Sequence, residues 1–471
     1  NETLSALVRN LDAVKVDSYR VSYSINAGTW QSKVMTMPIA ANSVGLATIP
    51  GIDLSASGIY QLRLAVQNLS ATDPVPANDS IIKVLKQLDN PPVNIAGTFT
   101  DGFEAWDALE TENDSIGISP DGRWDYHNEN DTCRLRSIVN STITITGNRS
   151  ISLDAIYNAG RNHANEFTGT FNMINYDVAN DEVRLEFDYI LHGTPLAPED
   201  NAVAVRGADT KNWSKLYVYK TSTAGSGNAV NSGSLSITDA LQASGQAFTT
   251  STQVDFLQDD KSLISERNYG SGVTIDNVKL YMVQNDIQLL SIVTPGIIEC
   301  GLNGQVPLVI RLRNGVNQTL NNVQLYYRFD GGPVVNETLS TLAGKQTVDY
   351  SFNALMDLSK TGGHTLDVWV AATGDSYTKN DSILNYSFHN QPLVASFPYK
   401  ETFENGDGNW YTEGASDSWA YGTPASPKIN KAASGTKAWK TNLSGNYNPL
   451  ELSYLYSPCF DVSSLKYPKF R

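Results

Sequence analysis

The feature that most constrains this 471-residue chain is that it repeats itself about three hundred positions apart. Val8-Arg9-Asn10 corresponds to Leu312-Arg313-Asn314. At the same offset Val21-Ser22-Tyr23-Ser24-Ile25-Asn26-Ala27-Gly28 aligns with Leu325-Tyr326-Tyr327-Arg328-Phe329-Asp330-Gly331-Gly332. Asp53-Leu54-Ser55 with Gly58 answers Asp357-Leu358-Ser359 with Gly362, and Leu62 and Val66 fall on Leu366 and Val370. Both copies close on the same four residues, Asn78-Asp79-Ser80-Ile81 and Asn380-Asp381-Ser382-Ile383. Two copies of one module are present, and a repeat of this length is one folding unit used twice.

The local pattern within the repeat is that of strands. Val21, Tyr23 and Ile25 alternate with polar residues and run into Asn26-Ala27-Gly28, a hairpin turn signal. The second copy makes the same turn more strongly with Asp330-Gly331-Gly332, and Leu62, Leu64 and Val66 form another period-2 run. A small immunoglobulin-like sandwich is expected from each copy.

A different module follows each copy. Gly102-Phe103-Glu104 matches Thr402-Phe403-Glu404; Trp106 and Trp124-Asp125-Tyr126 match Trp410 and Trp419-Ala420-Tyr421; Tyr176-Asp177-Val178 answers Phe460-Asp461-Val462. The first of these modules runs to the strand Val273–Tyr281, too long for an immunoglobulin sandwich and suited to a jelly roll. The expected fold class is all-β, tandem β-sandwiches in which immunoglobulin-like modules alternate with jelly rolls. The expected domains are 1–90, 91–284, 285–394 and 395–471. Two extra strands, roughly Ile287 to Val293 and Val306 to Arg311, precede Arg313-Asn314 in the second immunoglobulin-like copy, and most of that portion is expected to be missing from the first. The last jelly roll reads as less than half complete, so the chain is expected to be a segment of a longer polypeptide.

Composition narrows the function. The formal charge is −15, from 34 basic and 49 acidic residues, with no Lys- or Arg-rich run. Such a surface has no means of releasing phosphate counterions, which argues against nucleic acid and anionic lipid. No stretch of about 18 apolar residues occurs, so no membrane insertion is expected. Cys133, Cys300 and Cys459 are too few and too scattered for a stapled scaffold or a zinc site, and are expected to be buried or partly buried free thiols. His127, His163, His192, His364 and His389 form no His-Glu-x-x-His pair, and no Gly-x-Ser-x-Gly elbow is present. The segment is expected not to be an enzyme.

Phe403-Glu404-Asn405-Gly406, Trp410 and Asp417-Ser418-Trp419 resemble the opening of cleaved-adhesin jelly-roll domains. So do Ser434-Gly435-Thr436-Lys437-Ala438-Trp439 and Leu455-Tyr456-Ser457-Pro458, with Val183–Tyr189 and Ile275-Asp276-Asn277-Val278 in the first copy. Such domains occur in the haemagglutinin regions of gingipain-type proteases and other secreted Bacteroidota proteins, and are similar to MAM-like jelly rolls. The first copy departs from the pattern at Asn175-Tyr176, where the second has Ser457-Pro458-Cys459-Phe460. The repeated sandwiches resemble CARDB-type adhesion modules. The resemblance implies export by a type IX route, with partners in the secretion machinery. It also implies a structural calcium where first and last strands meet, for which Glu104 and Asp276 are nominated with Asp101 or Asp107 as helpers and Glu404 as the second-copy counterpart. The same acids could instead cap turns. Trp124, Tyr126, Trp419 and Tyr421 could stack on sugar rings or fill cores. Three Asp-Ser-Ile sites, at Ser80, Ser115 and Ser382, resemble an O-glycosylation motif. The leading expectation is a non-catalytic extracellular adhesion or surface-display segment that binds glycans or surface glycoproteins through repeated weak sites. An accessory region of a secreted hydrolase, or a subunit of an extracellular filament, are the alternatives.

Overall fold

The structure, a computed structural model, describes residues 2–129, 133–137, 144–155, 163–192, 201–220, 229–260, 272–302 and 304–469. Strands dominate it, with one short α-helix, Ile237–Ala243, so the all-β expectation holds. Its contacts divide the chain into two compact units, Asn1–Met282 and Val283–Arg471.

The first unit opens with the first immunoglobulin-like copy. Glu2–Arg9 pairs with Val44–Ile52, facing a four-stranded sheet ordered Gln31–Met35, Tyr19–Ile25, Gly58–Asn68, Ser80–Gln87. The inward members of the alternating runs, Tyr19, Val21, Ala47, Ile49 and Ile52, make its core with Ile39. The hairpin after Ile25 has positive φ at both Asn26 and Ala27, as a type I′ turn requires, and Gly28 N–H closes it onto Ile25 O at 2.8 Å. Asn10 is buried, and its Nδ2 donates to Val14 O, Ile39 O and Ala40 O.

A larger sandwich follows. One sheet contains Val230–Asn231, Glu182–His192, Gly272–Val283, Ile151–Ala155, Cys133–Ser137 and Leu109–Thr111 in that order. The other is ordered Ser214–Val218, Ala202–Arg206, Thr252–Asp260, His163–Phe171, Trp124–Asn128. Their inner faces share one core rich in aromatics, in which the Trp124 and Phe167 rings stack with centroids 4.3 Å apart. Lys86, from the last strand of the small sandwich, meets Asp125 of the large one at 2.7 Å and donates to Gly122 O, so the two sandwiches of this unit share a half-buried charge pair.

The second unit begins with the other immunoglobulin-like copy. Ile287–Thr294, Val306–Asn314 and Thr347–Met356 form one sheet. The other is ordered Ile298–Cys300, Ser382–Gln391, Gly362–Ala371, Leu320–Phe329, Val334–Leu342. The hairpin after Phe329 repeats the earlier one, with positive φ at Asp330 and Gly331 and Gly332 N–H on Phe329 O at 2.8 Å. Asn314 repeats Asn10, donating to Gln318 O, Leu342 O and Ala343 O. The Asn thus has one job in both copies: a buried amide bolts strand to loop through three backbone carbonyls.

Two expectations need correction. Val306–Asn314 is not extra, because Glu2–Arg9 is its counterpart; only Ile287–Thr294 and Ile298–Cys300 lack one among the described residues of the first copy. Cys300 and Cys459 are not free thiols but a disulfide, with Cα atoms 5.8 Å apart. Scatter in sequence concealed it: Ile298–Cys300 runs parallel to the end of Ser382–Gln391, and Leu393–Val394, just beyond it, runs parallel to Cys459–Phe460. Cys133 is buried and in no disulfide, with its Sγ on Ala164 O at 3.3 Å. The remaining strands pair as Tyr411–Ala415 with Leu452–Tyr456 and Trp419–Gly422 with Ala438–Thr441.

Candidate ligand-binding face

The residues nominated from sequence sort by burial. Trp124 and Tyr126 are 0 % and 1 % exposed, so neither ring can meet a sugar, and the glycan-platform expectation is corrected for both. They point inward because they occupy the inward register of strand Trp124–Asn128, and their polar ends are satisfied there, indole N–H on Asp101 and phenol on Asn165. Trp419 and Tyr421 are half-buried; the Tyr421 hydroxyl donates to Phe403 O, and the Lys437 ammonium sits over its ring.

The nominated acids hold turns together. Glu104 accepts the N–H groups of Asn148 and Arg149, and Glu404 accepts those of Thr436 and Lys437, so the Phe-Glu motif does one job in both modules. These bonds, led by Lys437 N–H, pull the Glu404 carboxyl below its usual range. Asp276 accepts from Thr146 N–H, the hydroxyls of Thr146 and Ser150, and Asn277 N–H. Burial raises its pKa against those bonds. Asp101 takes Phe103 N–H and the Trp124 indole, and Asp107 lies exposed. Every donor around Glu104 and Asp276 presents a hydrogen, which opposes a cation. Among the described residues no group of three or more His, Cys, Asp or Glu could hold a metal ion. The hydrogen bonds these acids accept are those of turn caps, the other role open to them from the sequence.

Ser80 and Ser382 stand exposed at the first position of equivalent strands, Ser80–Gln87 and Ser382–Gln391. Ser115 is half-buried, and its hydroxyl donates to Asn113 O.

The face best suited to a ligand was not singled out from sequence. Strands Trp124–Asn128, His163–Phe171, Thr252–Asp260 and Ala202–Arg206 send Phe167, Val254, Phe256, Val203 and Val205 inward, so their alternate residues form the opposite face. Register sets Asp125, Thr168, Asp255, Ala204 and Lys215 in one cross-strand row. His127, Glu166 and Leu257 lie in a row to one side, with Thr170, Gln253 and Arg206 in a row to the other. Thr168 donates to Asp255 at 3.0 Å; Arg206 Nε donates to Gln253, which donates on to Thr170. The Arg206 guanidinium stacks 4.1 Å from the centroid of the half-buried Trp213 ring. Burial, then the charge of Glu166, pushes Asp255 up to about 7, while burial lowers Arg206. The groups of this face that reach the surface are therefore the half-buried Glu166 and Thr168 and the Arg206–Trp213 stack, in which Arg206 is held by Gln253 and by Lys211 O. The signal was in the sequence as the polar partners in Glu166-Phe167-Thr168 and Gln253-Val254-Asp255-Phe256, but the pairing that gathers them is not local.

A second aromatic pair stands on the five-stranded sheet of the second unit. Tyr326 and Trp369 are cross-strand partners, half-buried, with stacked rings 5.4 Å apart; the first copy has Ser22 and Ala65 at these places.

No family model matches the chain. Over 144 residues, 31 % of the chain, it is 27 % identical to Bacillopeptidase F of Bacillus subtilis (strain 168), and the match spans 10 % of that protein's length. Among solved structures it is similar to a GH2 beta-galacturonidase from Eisenbergiella tayi (9 % identity, 65 % of this chain and 46 % of that one, TM-score 0.25). It is also similar to a beta-glucuronidase from Bacteroides uniformis (13 % identity, 59 % and 32 %, TM-score 0.26). A third is the adhesin domain of Epf from Streptococcus pyogenes (14 % identity, 64 % and 93 %, TM-score 0.17).

Proposed function

We propose that this chain is a non-catalytic, extracellular binding segment that holds glycans or surface glycoproteins on the outer face of its large sandwich. The observation that carries the reading is the Arg206–Trp213 stack, on the same sheet face as Glu166 and the Thr168–Asp255 pair. Sugars are bound by an aromatic plane with flanking charged and amide groups, and this face supplies both. Asp255 is 0 % exposed and sealed under its neighbours, so it braces the face and reaches no substrate; this argues for binding over hydrolysis. The Cys300–Cys459 disulfide supports an oxidising, extracellular setting, since such bonds persist there. No helix among the described residues is long and apolar enough to cross a membrane. Attachment at a cell surface, export through partners in a type IX secretion machinery and O-glycans on Ser80 and Ser382 complete the proposal.

The test is retention of the whole chain on immobilised polysaccharides and mucin-type glycoproteins, compared with Trp213→Ala and Glu166→Gln. Retention by the parent and roughly tenfold weaker retention by both variants is expected, as for loss of about 1.4 kcal/mol each. A parent that binds no glycan, or variants that bind as the parent does, would sink the reading. The local likeness to Bacillopeptidase F favours one second reading, an accessory region beside a protease domain. A protease domain encoded next to this segment is the observation that would select it.

A further inference from the structure

We propose that the large sandwich carries a second ligand site, on the sheet opposite the face described above, and that it takes an oxyanion: the carboxylate of an acidic sugar or a sulfate group. Strands Cys133–Ser137, Ile151–Ala155 and Gly272–Val283 send Leu135, Leu153, Val273 and Ile275 into the core, so their alternate residues stand on the outer side of this sheet. Register sets Glu110, Arg136, Ser152 and Thr274 in one cross-strand row, with Arg134 and Asp154 in the row beside it.

Arg136 is the odd member of its row. It is 8 % exposed, yet Asp154 Oδ2 is its one acceptor among the described residues, and its Nε is buried with no partner. The acids that could satisfy it are turned to Arg134. Arg134 Nε and Nη2 take both oxygens of Asp154 at 2.9 and 2.8 Å. Arg134 Nη1 also takes Glu110, at 2.8 Å, although Glu110 is the register partner of Arg136. Asp276, two residues along from Thr274, is taken up by Thr146, Ser150 and Asn277.

Beyond Arg136 the row is hydroxyl. Ser152 Oγ and Thr274 Oγ1 are 2.8 Å apart, and Thr274 Oγ1 meets His192 Nε2 at 2.8 Å. Burial lowers the His192 imidazole from its ordinary range, so it adds no charge at neutral pH. Two buried guanidiniums, Arg134 and Arg136, thus share one buried carboxylate among the described residues. A guanidinium N–H left dry and unmatched is costly, and an oxyanion is the group that matches it, because the planar fork grips two oxygens at once. Leu109–Thr111 ends the sheet, and half of the Glu110 side chain is exposed there, so the anion enters from this edge. The site is independent of the Arg206–Trp213 stack.

The experiment is equilibrium dialysis of the full chain, at low ionic strength, against radiolabelled sodium glucuronate and sodium sulfate. Saturable uptake of at least one of them is expected, with a dissociation constant of about 1 mM or below. Uptake of glucuronate alone makes the ligand an acidic sugar, and uptake of sulfate alone makes it a sulfate group. Excess glucose is expected to displace neither. Arg136→Gln, which leaves Asp154 gripped by Arg134, is expected to weaken uptake about tenfold, and Glu110→Gln, which removes a competing acid from the rim, to tighten it about threefold. Trp213→Ala, on the other sheet, is expected to change nothing, so this result is read apart from that of the proposed glycan face. No saturable uptake of either anion, displacement by glucose, or uptake by Arg136→Gln equal to the parent's would each overturn the proposal. So would unchanged or weaker uptake by Glu110→Gln, or loss of uptake in Trp213→Ala.

Discussion

The two immunoglobulin-like copies share their turn, their buried asparagine and the acid-asparagine pair before the last strand, and differ in one strand that has no counterpart among the described residues of the first copy. Asn10 and Asn314 make the same three hydrogen bonds, and the hairpins after Ile25 and Phe329 have the same backbone. That strand, Ile287–Thr294, packs on Val306–Asn314 and buries Ile287 and Leu289 in the core of the second copy. Motifs that are local in sequence specify turns and bolts. The closure of that core is decided by a segment that any one motif never touches.

The largest effect expected from breaking this comparison concerns the feature only the second unit possesses. Replacing Cys300 and Cys459 by Ser should destabilise that unit by about 5 kcal/mol, the chain-entropy value for a loop of this length. In urea, one unfolding transition should fall while that of the first unit stays in place. Next comes the sealing strand: Leu289→Ala, in a buried position, should cost the second copy about 3 kcal/mol by calorimetry.

A third difference is electrostatic. Asp381 is buried beside Asp375 and Asp286, and burial, then those two charges, push its carboxyl up to about 7; one of its oxygens has no hydrogen-bond partner. Its folded state holds the proton more tightly than the unfolded chain does. Its contribution is therefore full below about pH 4, falls as pH rises toward 7 and is gone above it. Asp381→Asn should raise stability at pH 8 by about 1–3 kcal/mol and leave it little changed at pH 4. Asp79 in the first copy, raised by burial and then by Asp73, is less enclosed, so Asp79→Asn should gain less. Equal gains at both sites would erase the distinction.

Smaller still is the turn. Ala27 has φ +59° where Gly331 has +67°, and a Cβ in that region costs about 1 kcal/mol. Ala27→Gly should stabilise the first copy by about that amount and Gly331→Ala should destabilise the second equally, read from melting temperatures. The smallest effect is expected from chelation. With Glu104, Glu404 and Asp276 already matched to N–H and O–H donors, excess EDTA should shift neither unit by more than about 1 °C. A fall of several degrees would return calcium to the Phe-Glu corner.

Strand alternation and turn residues carried the fold class, because side chains two apart share a face whatever lies elsewhere in the chain. The same rule misled at Trp124 and Tyr126, where the period was right but nothing local says which face is inside. Phe167 and Phe256, strands away, settle it by packing against Trp124. The candidate ligand-binding face was illegible for a related reason. Glu166, Arg206 and Asp255 approach only through the register of three strands distant in sequence. Cys300 and Cys459 lie 159 positions apart and meet through a short parallel pair that no turn signal announces.

That covalent link also fixes how the second unit answers a pull. Tension entering at Cys300 passes straight to Cys459, so the strands enclosed by the bridge bear none of it, and roughly 500 Å of potential chain extension stays locked away while the bond is intact. Under load the unit therefore stays short, and reduction of the bond is the event that lets it lengthen.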